Sequence, residues 1–184
     1  MSDSPDTGPL HEEGWEAHEA SNHQWEDPTN DQKMRLALSS LNELGPPSSV
    51  RLLDYGCGNG VLTQLFHLAG YNVQGIDFSK TAIIGNQRRL PHLEFQASTP
   101  DGRAPYEDGS FDAIFCSEVI EHVYDTRVVF GEFQRLLRAN GQLLLTTPYH
   151  GLAKNVIVAL FFFERHFDPT WQHIRFYTKR SLSL

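Results

Sequence analysis

Leu52-Leu53-Asp54-Tyr55-Gly56-Cys57-Gly58-Asn59-Gly60 runs from an apolar, strand-like pattern into three glycines at alternating positions. Residues without a Cβ allow tight turns and let a ligand come close to the backbone. A strand that ends in such a loop and continues into a helical pattern leads a nucleotide-like ligand toward a helix N-terminus. The spacing is Gly-x-Gly-x-Gly rather than Gly-x-Gly-x-x-Gly, and Asp54 precedes it. An acid there repels a pyrophosphate and suits the cationic end of a ligand. Further along, Gly75-Ile76-Asp77-Phe78-Ser79 closes the next apolar run on an acid, from where a carboxylate accepts the hydroxyls of a ribose. Asp77 also suits the positive end of a helix dipole, but Ser79 is the better N-cap.

Outward from this loop the chain alternates. Short apolar runs at 50–55, 72–76, 93–95, 113–116 and 142–147 predict strands, and 61–69, 79–89, 126–138 and 152–163 predict helices. A further helix is expected from Asp31, with Met34, Leu36, Leu38, Leu41 and Leu44 at near-helical spacing and a stop at Gly45-Pro46-Pro47. Strand and helix in alternation imply an α/β fold, a mainly parallel sheet with helices on both faces.

A chain of 184 residues, 40% hydrophobic and 21% charged, suits one such domain, expected over 31–184. Residues 1–30 are acidic, proline-bearing and poor in aliphatics, and read as a flexible segment. Trp15 and Trp25, with His11, His18 and His23, leave open a lid over the site. The chain reaches Ser181-Leu182-Ser183-Leu184 in the beginning of another helix, so the domain is expected to be truncated at its C-terminus.

The formal net charge of -8 gives no general attraction to phosphate backbones or anionic lipid. A small-molecule acceptor is the default partner. Nucleic acid would need a local basic patch, for which Arg88-Arg89 and Arg175 with Lys179-Arg180 are small candidates. Cys57 and Cys116 form no spaced framework and read as reduced thiols of a cytoplasmic protein. The N-terminus lacks the pattern of a secretory signal. The longest apolar run, 156–163, is far shorter than the ~20 residues that span a bilayer, which leaves peripheral membrane contact open. Oligomeric state is not legible.

Cys116-Ser117-Glu118-Val119-Ile120-Glu121-His122 follows the fourth predicted strand. If a helical turn begins at Glu118, Glu121 at i+3 and His122 at i+4 converge with it. Two carboxylates and an imidazole can hold a divalent cation or supply a general base. The apolar stretch 152–163, with Tyr149 and His150 before it, either packs on the sheet or lines an entrance for a greasy acceptor.

With these motifs, residues 30–180 resemble the class I S-adenosylmethionine (SAM)-dependent methyltransferases. The resemblance rests on 52–60, on Asp77, on Phe111-Asp112-Ala113-Ile114, and on Leu137-Arg138-Ala139-Asn140-Gly141-Gln142-Leu143. It implies a Rossmann-like sheet, here without the usual C-terminal antiparallel strand pair, and SAM as cofactor. Asp54, Gly56, Cys57, Gly58, Gly60 and Ser117 would lie along its methionine part, Asp77 on the ribose and Phe78 along the adenine. Ala97 and Ser98 would reach the adenine edge; many relatives carry an acid there, so the contact falls to backbone or to the Ser98 hydroxyl. The acidic turn is similar to that of the ubiquinone-biosynthesis O-methyltransferases and of the small-RNA 2′-O-methyltransferases. The first group implies methyl transfer to a hydroxyl of a small aromatic or quinol-type molecule, with His122, Glu118 and Glu121 catalytic. The second implies RNA ribose as acceptor and a metal ion on Glu118, Glu121, His122 and a later histidine, His173, with His166 as its competitor. A non-catalytic SAM-binding partner subunit is the alternative of another class.

Overall fold

The computed structural model describes residues 29–99, 102–149, 151–161 and 174–182. Helix α1 (Asn30–Leu41) leads through short 3-10 turns to β1 (Arg51–Tyr55), α2 (Val61–Leu68), β2 (Asn72–Asp77), α3 (Lys80–Arg89) and β3 (Glu94–Ala97). Then follow β4 (Phe111–Ser117), a 3-10 turn at Ile120–His122, α4 (Thr126–Leu136), β5 (Leu137–Thr146), α5 (Leu152–Phe161) and α6 (Lys179–Leu182). The five strands form one sheet in the order β3-β2-β1-β4-β5, and every neighbouring pair is parallel. This is the parallel α/β sheet expected from the alternation, with the Rossmann-like architecture that the resemblance implies.

Both faces of the sheet are buried, and the period of two along each strand sorts the side chains between them. Leu53, Tyr55, Ile114 and Cys116 pack on one face with Val129, Phe133 and Leu136 of α4. Leu52, Ala113 and Phe115 pack on the other with Met34, Ala37 and Leu41 of α1 and Phe66 of α2. The apolar stripe of α1 is therefore i, i+3, i+7, and Ala37 belongs to it. Leu36, read as part of the helical pattern, points away and is 63% exposed.

The largest shift of a predicted boundary is at the junction of α4 with β5. The helix expected over 126–138 stops at Leu136, because Leu137 already pairs with Phe111 on β4. The next regular pair is Ala113 with Gln142, so 138–141 bulges out of the ladder, with Asn140 at φ 64° absorbing the reversal. In α5, Val158 is buried whereas Leu152, Leu160 and Phe161 are 69–82% exposed. Residues 1–28, His150, 162–173 and 183–184, which include the expected lid with Trp15 and Trp25 and the histidines His166 and His173, lie outside the described residues.

Candidate functional site

The strand order turns back between β1 and β4, and ligands of open parallel sheets bind in the crevice beyond the strand ends at that point. Tyr55 and Cys116 are the last paired residues there. The glycine loop leaves one and the acidic turn leaves the other.

The loop is folded onto the neighbouring strand: the backbone N–H groups of Gly56 and Cys57 both donate to the Ile76 carbonyl, at 2.8 and 2.9 Å. Gly56 has φ 78°, and a Cβ on it would sit 2.2 Å from Cγ2 of Val119 in the acidic turn. Gly58, at φ 47°, faces open space, leaving a bare backbone surface where a ligand can lie. Cys57 belongs to the apolar cluster of Ile83, Leu90, Leu93 and Phe95, and its thiol also bonds the Gly58 carbonyl at 4.0 Å and accepts from the Asn86 side chain at 3.9 Å. Gly60 adopts the left-handed conformation at the N-cap of α2.

Asp54 lies on the same face of β1 as Leu52, opposite to Leu53 and Tyr55, one residue before the strand ends. It is 2% exposed and its carboxylate accepts from the Thr63 hydroxyl at 2.6 Å. The Thr63 backbone N–H binds it as well, so Asp54 serves the N-terminal turn of α2. Burial, reinforced by the negative charge of Asp77, raises its pKa from 3.8 to about 7.

Asp77 ends β2 with one carboxylate oxygen on the N–H of Gly58 at 2.9 Å and the other on the N–H of Ser79 at 2.9 Å. It thereby ties the glycine loop to the start of α3, and burial raises its pKa as well. Ser79 caps α3 as expected, accepting from the Ala82 N–H at 3.2 Å. Asn86 was not foreseen. It is buried on α3 and donates to the Gly58 carbonyl at 2.7 Å, while Arg89 donates to the carbonyls of Asn59 and of the Asn86 side chain. Phe78 is half-buried beside Asp77. Ala97 pairs with Asp77 across β2 and β3, and Ser98 donates its N–H to the Asp77 carbonyl at 2.8 Å.

These residues fit a nucleoside-bearing, cationic ligand. Two buried carboxylates disfavour each other's charge until a positive centre arrives. Asp77 is already oriented by backbone donors, and the Gly58 surface is bare.

The acidic turn differs from the helical turn expected of it. Glu118 is left-handed, φ 56°, and the single 3-10 turn begins at Ile120. A side chain in that region is strained and persists only where its surroundings hold it. Here β5 does so: the Glu118 N–H donates to the Thr146 carbonyl, and the Thr146 hydroxyl donates to the Glu118 carboxylate at 3.0 Å while bonding Ser117 at 2.8 Å. Glu121 instead turns inward to the Thr147 hydroxyl at 3.2 Å. It is 1% exposed, and its other carboxylate oxygen, Oε1, is buried without a hydrogen-bond partner. Burial, with the charge of Glu118 nearby, raises its pKa from 4.5 to about 7. Glu118 and His122 remain half-exposed. The three side chains thus do not meet at one point, and among the described residues no group of three or more His, Cys, Asp or Glu is arranged to hold a metal ion. His173, the fourth expected donor, lies outside them.

Residues 27–184 match a family of methyltransferase domains. The chain belongs to this family. The methyltransferase domain is similar to the ubiquinone biosynthesis O-methyltransferase of Ralstonia nicotianae, with 31% identity over 147 residues, 75% of this chain and 61% of that protein. It thus spans about three fifths of the length of that relative. Among solved structures, its fold is similar to that of the YcgJ protein of Bacillus subtilis, with a TM-score of 0.65 at 24% identity, covering 83% of this chain and 65% of the other. It is similar also to a methyltransferase solved in complex with the Trm112 methyltransferase activator of Haloferax volcanii, with a TM-score of 0.67 at 16% identity, covering 91% and 72%.

Among the described residues, no helix of this methyltransferase domain is long and apolar enough to cross a membrane. Thr63, Asn86, Arg89, Thr146 and Thr147 are site-shaping residues that sequence reasoning missed. Thr63 alone left a sequence signal, three residues past the glycines at the start of a helix.

Proposed function

We propose that this chain is the SAM-binding core of an O-methyltransferase acting on a hydroxyl of a small aromatic, quinol-type acceptor. The observation that carries this reading is the meeting of two strand-end elements at the point where the strand order reverses. One is a glycine loop braced by Asp77, and the other an acidic turn with half-exposed Glu118 and His122. Similarity to an O-methyltransferase of ubiquinone biosynthesis supports the choice of a hydroxyl.

Bound SAM supplies a methyl group activated on a sulfonium centre. In this reading the loop backbone from Gly56 to Gly60 seats the methionine part and Asp77 accepts the ribose hydroxyls. The acceptor lies against the turn. His122, half-exposed, takes the proton from the acceptor oxygen, and Glu118 orients the hydroxyl. Glu121 is sealed beneath them and sets the local charge. Methyl transfer needs mainly proximity and alignment, so two rigid strand ends suffice to hold the partners. Nothing in this sequence of steps requires an ion on Glu118, Glu121 and His122.

The test is calorimetric binding of S-adenosylhomocysteine, followed by transfer of radiolabelled methyl from SAM to alkylcatechols, quinols and short single-stranded RNAs. Labelled catechol or quinol supports the proposal. Labelled RNA alone moves the acceptor to ribose, against the net charge of -8. Binding without label on any acceptor favours the non-catalytic partner subunit, and absence of binding removes the cofactor reading altogether.

A further inference from the structure

The acidic turn is held from a distance. The backbone N–H groups of Ile174 and Arg175 both donate to the carbonyl of Glu121, at 3.0 and 3.1 Å. The Arg175 side chain then continues along the same stretch: Nε donates to the Val123 carbonyl at 2.8 Å, and a terminal nitrogen donates to the next carbonyl, that of Tyr124. Tyr177 adds its hydroxyl on the Ile120 carbonyl at 3.3 Å, bonds the side chain of Thr126, and bridges to Tyr149 beyond β5. The segment thus seals the carbonyls of Ile120, Glu121, Val123 and Tyr124.

We infer that Arg175 is a positioning residue for the methyl transfer proposed above: its guanidinium clamps the Val123 and Tyr124 carbonyls, so that Glu118 and His122 keep their place at the end of β4. The inference rests on that reading of the site. Its physical basis is the shape of the group. A guanidinium carries donors in a fixed planar fork and spans two successive carbonyls at once, whereas an ammonium on a flexible stem meets them as a point charge. The turn itself is short of internal support. Within it, the His122 N–H reaches the Val119 carbonyl at 3.0 Å and the Val123 N–H reaches the Ile120 carbonyl at 3.4 Å. Glu118 at φ 56° adds strain that must be restrained from outside. Thr146 and Thr147 of the β5 side hold the carboxylates, and Arg175 holds the backbone that follows them. Without the guanidinium, the Val123 and Tyr124 carbonyls lose their donor, and the segment holds the turn only through the backbone bonds to Glu121 and the Tyr177 hydroxyl on Ile120.

The test uses the full chain as wild type, Arg175→Ala and Arg175→Lys. Three quantities are compared: calorimetric affinity for S-adenosylhomocysteine, kcat for methyl transfer from SAM to an alkylcatechol, and hydrogen exchange of the backbone amides of 118–124. Arg175→Ala should keep its affinity for S-adenosylhomocysteine within about twofold while kcat falls about 10- to 100-fold, the usual cost of a slight misplacement at the reacting centre. The amides of His122 and Val123 should exchange at least about tenfold faster, with those of β1 and β2 unchanged. Arg175→Lys should lie between Arg175→Ala and wild type in both. The inference is overturned if exchange in the turn is unchanged in Arg175→Ala, if kcat stays at the wild-type value, or if affinity for S-adenosylhomocysteine falls as far as kcat. Failure of the wild type to bind S-adenosylhomocysteine or to methylate would sink the proposed function instead, and the exchange comparison would still decide whether Arg175 holds the turn.

Discussion

Asp77 engages both carboxylate oxygens with backbone N–H groups, those of Gly58 and Ser79. In the proposed reading, a ribose approaching it meets a carboxylate already oriented. Truncation removes the acceptor and frees Gly58 together, and hydrogen bonds to charged groups contribute about 1.5–3 kcal/mol each. Asp77→Ala should therefore weaken binding of S-adenosylhomocysteine by about 100-fold or more, read by calorimetry. His122→Ala should do the opposite, leaving that affinity intact and lowering kcat by about 10²- to 10⁴-fold, the range of general-base catalysis. A kcat unchanged in His122→Ala would take the base role from it. At this scale the sequence was legible where a residue acts through its own neighbourhood. Asp77 at a strand tip and Ser79 at a helix start are such cases. Asn86 and Thr146 were not legible, because each meets its partner across 28 residues of chain, Asn86 at Gly58 and Thr146 at Glu118, and only packing brings them there.

Between elements, the close approach of Gly56 to Val119 joins the glycine loop to the acidic turn. Gly56→Ala demands a side chain at φ 78° and a Cβ 2.2 Å from Val119. The strain and overpacking should cost about 2–4 kcal/mol and lower the melting temperature by roughly 5–10 °C. Gly56→Ala with Val119→Ala should regain about half of that loss, since the steric part is relieved and the backbone part is not. Equal melting temperatures for the single and double variants would show that the contact is immaterial. All five strands lay within a few residues of their expected places, as the buried parallel sheet writes itself into short apolar runs. The end of α4 did not. Its amphipathic pattern runs on through Leu137 and Arg138, and pairing of Leu137 with Phe111 overrides that local preference. The helical reading of the acidic turn failed for a related reason, because bonds from β5 hold Glu118 in a backbone region that spacing arguments do not consider.

Across the molecule, three buried carboxyl groups have pKa values above their ordinary range. Those of Asp54 and Glu121 rise from 3.8 and 4.5 to about 7, and that of Asp77 rises as well, all chiefly through burial. Between the unfolded and folded values the native state binds more protons than the unfolded chain, so its stability falls as pH rises. The ligand-free protein should melt at least ~3 °C lower at about pH 8 than at about pH 5, and Asp54→Asn combined with Glu121→Gln should flatten that slope. A melting temperature that climbs over the same interval would contradict it. The α/β class and its parallel sheet were legible from alternation. The meeting of two loops at the reversal of strand order follows from topology, which no single segment spells out. The bonds from the segment at Arg175 to the turn at Tyr124 also bear on how the protein is made. They join residues 51 and 52 positions apart, an interval that a ribosome adding roughly 5–20 residues per second needs several seconds to cross. The glycine loop and Asp77 are synthesised before the turn, and the turn before its clamp, so in the proposed reading a nascent chain gains the residues for its cofactor while the place for the acceptor is still untethered.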